Sequence, residues 1–164
     1  MKRLSSGRMG NFLGLLACAL LLAYAYYLQF HSNIQPCPLC IFQRMAMVAL
    51  GVVFLVATLH NPRRIGGRLY AVLIVLTALV GAALSSRHIW IQAQPKGSVP
   101  ACGATLDYLM DVFSPGEVIR KVLTGSGECA KVDWTFLGLS MPVWVLATFV
   151  VLGIWGVAVN WNRR

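Results

Sequence analysis

The chain has 164 residues, of which 58% are hydrophobic and 12% are charged, and its mean hydropathy is +0.70. A soluble domain of this length needs more polar surface to cover its core, so the composition excludes an ordinary soluble protein and favours the lipid bilayer as the environment. The net charge of +9 comes without a basic face interleaved with aromatic residues, so it does not indicate nucleic-acid binding.

Four apolar runs are long enough to cross the bilayer as helices, because each approaches the ~20 residues needed to span ~30 Å of hydrocarbon. They predict spans at about 12–28, 41–59, 69–87 and 141–159. Barrel strands are excluded, since these would be ~10 residues long and alternating. We predict an all-α membrane protein over residues 1–164, a four-helix transmembrane bundle with outer loops at about 29–40 and 88–140.

The first span also resembles a secretory signal, because basic residues precede it and Ala23–Ala25 reads AYA, like a cleavage site. Its apolar stretch is longer than usual for a signal, and cleavage would leave three helices. We therefore expect it to be retained as a membrane helix.

Basic residues are concentrated on one side of the predicted bundle. Eight of them, with no acid, lie at the termini and between the second and third spans: Lys2, Arg3, Arg8, Arg63, Arg64, Arg68, Arg163 and Arg164. The other side holds all five acids. The positive-inside rule then predicts that both termini are cytoplasmic.

The cysteines divide into one within a span and four on the non-cytoplasmic side. Cys18 lies inside the first span and is expected to be a small apolar filler. The other four are Cys37, Cys40, Cys102 and Cys129. An even number of cysteines on the oxidising side of a membrane favours disulfide chemistry.

Three interpretations of these four cysteines compete. A zinc site is disfavoured, because Cys102 and Cys129 are 27 residues apart and neither has another ligand at zinc-binding spacing. A Cys102–Cys129 bridge would suit a structural staple, whereas a Cys37–Cys40 bridge closes almost no loop. Short Cys-x-x-Cys rings are more often exchange-active, so we favour redox chemistry and expect no metal.

Arg44 follows Cys40 by four residues, which places both on one helix face if the second helix begins near Cys40. A helix N-terminus and a guanidinium both favour a charged thiolate there. A snorkelling interfacial arginine is the alternative, although a charge within a span is by default a functional hypothesis. No soluble βαβ segment frames the pair as in thioredoxin. The expected electron acceptor is therefore a membrane quinone, with Arg44 bonded to its carbonyl.

The second outer loop contains a signal for a helix of its own. Ser114 and Glu117 form a capping box, Pro115 stands at the first helical position and Gly125 is a stop. We predict a short amphipathic helix that lies on the membrane surface or packs on the bundle. The glycine-rich TGSGEC that follows predicts a flexible lead to Cys129.

His88 follows the predicted third span, in the segment SSRHIWIQ. It is either an interfacial histidine with a polar partner or a group near a quinone ring, on the same outer face as Cys40 and Arg44. The residues leave both interpretations open.

These segments together resemble the bacterial disulfide bond formation protein B (DsbB) family. The resemblance rests on PCPLCIFQR at residues 36–44, on the paired Cys102 and Cys129, and on WTFLGLSMPVW at Trp134–Trp144. It implies a four-helix bundle in the bacterial inner membrane and a thiol:quinone oxidoreductase. Its partners would be the membrane quinone pool and a periplasmic DsbA-type oxidase of thioredoxin fold.

The resemblance also implies roles for the cysteines. The partner's thiolate would attack Cys102, and Cys129, the pair of Cys102, would then engage Cys37. Cys40 would donate electrons to the quinone. The alternatives are a quinone-linked oxidase with a dedicated client, a reductase with the opposite electron flow, and a membrane scaffold stapled by two disulfides.

The cofactor-binding residues follow from the same resemblance. Arg44 matches the family's quinone-interacting arginine, and His88 falls where a quinone-proximal histidine is expected. No role is assigned to Gln43, where relatives often carry an acid or an amide. We expect ubiquinone in preference to menaquinone, although no motif reads the ring substituents.

Overall fold

The structure is a computed structural model that describes residues 7–31, 36–62, 65–95, 106–125, 127–132 and 134–161. The four long helices are α1 (Gly7–His31), α2 (Pro38–His60), α3 (Ile65–Gln92) and α7 (Met141–Asn160). Between α3 and α7 lie α4 (Leu106–Val112), α5 (Pro115–Thr124), α6 (Gly127–Ala130) and the strands β1 (Thr135–Phe136) and β2 (Leu139–Ser140).

The four long helices are each apolar and long enough to cross a membrane, which confirms the predicted all-α four-helix bundle. All four extend beyond the predicted bounds. One of these extensions is at the end of α3, which continues to Gln92. The prediction that His88 follows the third helix is therefore wrong, because His88 lies in its last turns.

The helix boundary that matters most for the site is the start of α2. Cys37 is the N-cap residue and Pro38 occupies the first turn, where its missing N–H costs no hydrogen bond. The backbone N–H of Cys40 donates to the Cys37 sulfur at 3.3 Å. The helix thus begins at Pro38, before Cys40, and both sulfur atoms sit at its positive end.

Helices α3 and α7 meet along what we call the α3–α7 seam, where small residues face larger ones. A Cβ atom on Gly81 would lie 2.3 Å from the Phe149 ring, and one on Gly156 would lie 2.4 Å from Ile74. Phe149 and Ile74 are fully buried. Small residues let membrane helices approach closely where burial from water supplies no driving force, so this seam is close-packed.

Helices α1 and α7 meet near the chain termini, at what we call the α1–α7 clasp. Asn11 and Asn160 exchange two amide hydrogen bonds of 3.1 and 2.8 Å, and both side chains are fully buried. The Trp155 indole N–H donates to the carbonyl of Gly10 at 2.9 Å. These bonds satisfy polar groups that would otherwise be costly in an apolar environment.

The loop between α3 and α7 packs on the opposite end of the bundle, which we call the cysteine end. Helix α5 has the predicted capping box at Ser114 and ends at Gly125. Val118 and Val122 are buried in one cluster with Cys37 and Cys129. Helix α5 therefore contacts the bundle through these two side chains.

Arg87 and Cys129 link this loop to the bundle. The Arg87 guanidinium donates to the carbonyl oxygens of Leu123 and Thr124 at 2.8 and 3.4 Å, which ties the C-terminus of α5 to α3. Cys129 lies within α6 and is 1% exposed. Its side chain is therefore enclosed by the bundle, and the flexible lead to Cys129 stays a prediction.

Candidate active site

Cys37 and Cys40 lie in contact at the start of α2. Their sulfur atoms are 2.9 Å apart, with the Cys37 thiol donating, and neither is in a disulfide. Cys37 is buried, whereas Cys40 is partly exposed. The pair is thus arranged as a dithiol with one enclosed and one accessible sulfur.

Cys129 approaches this pair from α6. A hydrogen bond to the Cys129 side chain and a second to Cys40 hold the proton on Cys37 and raise the pKa of Cys37 well above its ordinary value. Burial acts in the same direction. Cys37 is therefore the central sulfur of three, and it is held as a thiol.

His88, on α3, contacts both elements that carry these cysteines, α2 and α6. It is 2% exposed, and its Nε2 lies 3.1 Å from the Cys129 carbonyl oxygen and 3.8 Å from the Cys37 sulfur. Its Nδ1 lies 3.5 Å from the Gln43 amide nitrogen. These contacts fit a neutral ring that donates from Nε2 to the carbonyl and accepts at Nδ1.

Gln43 is the residue that sequence reasoning left without a role, and it is buried against His88. The sequence contains an indication of this buried position, because Gln43 is a polar residue at the start of an apolar run. Polar groups within membrane helices mostly face the bundle interior and find partners there.

Arg44 is directed from α2 toward α1. Its guanidinium donates to the Gln29 amide oxygen and, at 3.2 Å, to the Ala25 carbonyl oxygen. It also lies over the Tyr26 ring, 4.9 Å from the centroid. Arg44 is thus held between two helices by hydrogen bonds and a cation–π contact.

A cavity of about 380 Å³ lies between α1 and α7 at the cysteine end. Its walls include Leu21, Leu22, Tyr24, Leu28, Trp134, Phe136, Met141, Trp144 and Val145. Its polar lining includes Cys37, Cys40, Gln43, Arg44 and His88. An apolar cavity with few polar groups is typical of a small-molecule site.

The cavity residues fit a quinone, which is a flat apolar ring with two carbonyl acceptors. Arg44 supplies guanidinium N–H donors for a carbonyl, and His88 supplies a ring nitrogen. Cys40 gives the cavity a partly exposed sulfur. Cys37, Cys40 and His88 also form a set of potential metal ligands, whose ligand atoms lie within 4.8 Å of one another.

Five of the six predicted site residues are brought together at this end of the bundle: Cys37, Cys40, Arg44, His88 and Cys129. Cys102, the sixth, lies outside the residues that the structure describes.

Comparison with known proteins gives a consistent result. Residues 7–159 match the family model described as disulfide bond formation protein DsbB. A disulfide bond formation protein B of Xanthomonas oryzae is 50% identical over 153 residues, 93% of this chain and 89% of the relative. One of Methylococcus capsulatus is 48% identical over 161 residues, 98% of each chain, and one of Nitrosococcus oceani is 50% identical over 143 residues, 87% of this chain and 85% of the relative.

Proposed function

The chain belongs to the disulfide bond formation protein B family of bacterial multi-pass membrane proteins, and from this premise we propose that it is a thiol:quinone oxidoreductase. It reoxidises a periplasmic DsbA-type protein and delivers the electrons to a membrane quinone, ubiquinone in preference to menaquinone. It lies in the inner membrane with both termini in the cytoplasm, in accordance with the positive-inside rule.

The observation that carries this proposal is the series of three sulfur atoms that leads to the cavity. The Cys129 side chain is hydrogen-bonded to Cys37, and the Cys37 sulfur lies 2.9 Å from the Cys40 sulfur. Cys40 in turn lines the cavity. A structural staple has no need of a third cysteine at a Cys-x-x-Cys pair or of a cavity beside it. A relay of thiol–disulfide exchanges needs both.

The relay begins at the outer pair, with each exchange conserving thiols and disulfides. The partner's thiolate attacks Cys102 of a Cys102–Cys129 disulfide, which gives a mixed disulfide and releases the Cys129 thiolate. The partner's second thiolate resolves the mixed disulfide and leaves as an oxidised protein. Both Cys102 and Cys129 are then reduced.

The second exchange transfers the electrons to the inner pair. The Cys129 thiolate attacks Cys37 of a Cys37–Cys40 disulfide, and Cys40 leaves as a thiolate in the first turn of α2. The helix N-terminus stabilises a negative charge there. Cys102 then closes on Cys129, which restores the outer disulfide and leaves Cys37 and Cys40 as the reduced pair.

When bound, the quinone accepts two electrons and two protons. Arg44 would hold it through a carbonyl oxygen, and Cys40 would face it with the accessible sulfur. His88, whose ring is fixed by Gln43 and the Cys129 carbonyl, is the nitrogen base of the cavity. The apolar walls from α1 and α7 exclude water from the thiolate.

Quinone consumption by the purified chain tests this proposal. The protein is mixed with ubiquinone and a reduced DsbA-type substrate, and quinone absorbance and substrate thiols are followed together. We expect one quinone lost for each dithiol oxidised. Cys102→Ser should stop both signals, whereas the matched control Cys18→Ser, at a buried cysteine that does not line the cavity, should leave them unchanged.

A wild-type protein that leaves the quinone unreduced would disprove the oxidase. Net reduction of an oxidised substrate by quinol would instead support the reductase. Arg44→Ala separately tests the quinone contact. A hydrogen bond to a charged group is worth ~1.5–3 kcal/mol, so we expect KM for quinone to rise by about 10- to 150-fold, with KM for the protein substrate unchanged.

A further inference from the structure

The cysteine end brings three metal-ligating side chains together. The ligand atoms of Cys37, Cys40 and His88 lie within 4.8 Å of one another. A tetrahedral zinc site separates neighbouring sulfur and nitrogen ligands by roughly 3.5–3.8 Å, given Zn–S near 2.3 Å and Zn–N near 2.0 Å. The Cys37–His88 distance of 3.8 Å already fits. The sulfur atoms of Cys37 and Cys40, 2.9 Å apart, would have to separate by about 1 Å.

The other ring nitrogen of His88 lies beside the Gln43 amide, a neighbour that suits a metal-bound histidine. Metal-bound histidines usually donate their other ring N–H to an oxygen acceptor. A 180° turn of the Gln43 amide, 3.5 Å from Nδ1, presents such an oxygen and changes no heavy-atom position. The proton then resides on Nδ1. Nε2 gives up its hydrogen bond to the Cys129 carbonyl, 3.1 Å away, and offers a lone pair to an ion beside the Cys37 sulfur.

The charge balance of the cluster favours a divalent ion. Binding releases one proton from each of Cys37 and Cys40. Two thiolates with a neutral imidazole then carry two negative charges, which offset the two positive charges of the ion. Thiolate and imidazole ligands select zinc and cadmium over magnesium and calcium. Cys40 and His88 line the cavity, so the fourth coordination position is open to a water molecule there.

From these observations we propose that the reduced cysteine end binds a thiophilic divalent cation, such as Zn²⁺, through Cys37, Cys40 and His88. Spacing along the chain disfavours zinc because it counts only ligands close in sequence, whereas His88 is supplied by α3 across the bundle. The bound ion occupies both thiolates of the pair. It therefore blocks reoxidation reversibly, without a covalent change to the protein.

Cobalt absorbance tests the site directly and without quinone. The full-length protein is reduced in detergent, freed of reductant under anaerobic conditions and titrated with Co²⁺. We expect one Co²⁺ per chain, with the visible bands of tetrahedral cobalt and a sulfur-to-cobalt charge-transfer band, both removed by Zn²⁺. His88→Ala and Cys40→Ser should weaken binding strongly. Gln43→Leu should weaken it by about 10- to 100-fold, because the hydrogen bond that orients the His88 ring is lost.

Two controls separate this site from the other cysteines. Cys18→Ser should bind Co²⁺ as the wild type does, and so should the double variant Cys102→Ser/Cys129→Ser. The proposal is overturned if wild-type protein gives no tetrahedral spectrum, if His88→Ala keeps the full affinity, or if the double variant loses the ion. Because no quinone is present, a protein that reduces quinone but binds no Co²⁺ would refute this inference alone.

Discussion

The two sides of α7 are built in different ways. Toward α3 it forms the α3–α7 seam, where Gly81 accommodates Phe149 and Gly156 accommodates Ile74. Toward α1 it makes the α1–α7 clasp near the termini, and at the other end the two helices line the cavity. One side of the helix is therefore packed closely, while the other includes a ligand-sized space.

In this small bundle, the contacts that hold α7 in place and the residues of the candidate site therefore lie in different regions. Helix association in lipid depends on close packing and hydrogen bonds rather than on burial from water. The seam and the clasp supply these contacts away from the cysteines. The cysteine end is then free to hold a cavity, because the position of α7 is already set elsewhere.

The largest expected effect is on turnover and comes from Cys40→Ser, which alters the cysteine end alone. We expect turnover with a reduced dithiol substrate to be abolished, since no other sulfur in the described chain both contacts Cys37 and lines the cavity. The free energy of unfolding should change by less than about 1 kcal/mol, because the replacement is nearly isosteric. Turnover and thermal unfolding measured on one preparation would check both. Retained turnover would favour a stapled scaffold.

Alkylation of the reduced protein should separate the cysteines by pH. The hydrogen bonds to Cys129 and Cys40, with burial, raise the pKa of Cys37. An ordinary thiol is half ionised near pH ~8.5, so labelling of Cys37 should begin only at distinctly higher pH. Mass spectrometry of iodoacetamide-treated protein across a pH series measures this.

Cys129→Ala removes the first of these bonds and should shift Cys37 labelling to lower pH. The same shift in the control Cys18→Ala would contradict the stated cause, as would an ordinary labelling midpoint for Cys37 in the wild type.

Gly81→Ala tests the closely packed side of α7. The new Cβ would lie 2.3 Å from the Phe149 ring, and overpacking of this kind costs ~1–3 kcal/mol. We expect a lower thermal unfolding midpoint, with turnover retained below it. The matched control is Gly51→Ala in α2, whose Cβ would meet Cys18 at 3.4 Å, an ordinary contact. Equal destabilisation by both changes would rule out the seam as the cause.

Substitutions in the α1–α7 clasp should have the smallest effect on the free energy of unfolding. Asn11→Leu leaves the buried Asn160 amide without its reciprocal partner, and we expect a loss of about 1 kcal/mol, in the range of polar contacts between membrane helices. Asn11→Leu/Asn160→Leu should recover part of this loss, because no unpaired amide then remains on either helix. Additive losses in this double-mutant cycle would show that the two amides act independently.

Much of the architecture was predictable because it depends on composition and local signals. The four apolar runs predicted the bundle, and Ser114 with Glu117 predicted the start of α5. The other short elements of the loop, which are α4, α6 and the two strands, were not predicted. The turn between β1 and β2 places Leu137 and Gly138 at φ of 52° and 77°, although Leu-Gly lacks the Asn-Gly or Asp-Gly signal of such turns.

The spans, the family resemblance and the set of cysteines could be predicted from the sequence, since each depends on residues close together in the chain. Tertiary structure alone decided that Gln43 holds His88, that Arg44 turns to Gln29 and that Cys129 is enclosed beside Cys37. These contacts join different helices, and no local pattern specifies them. They depend on how α2 packs between α1 and α3 and on where α6 docks, because these elements carry the side chains that meet.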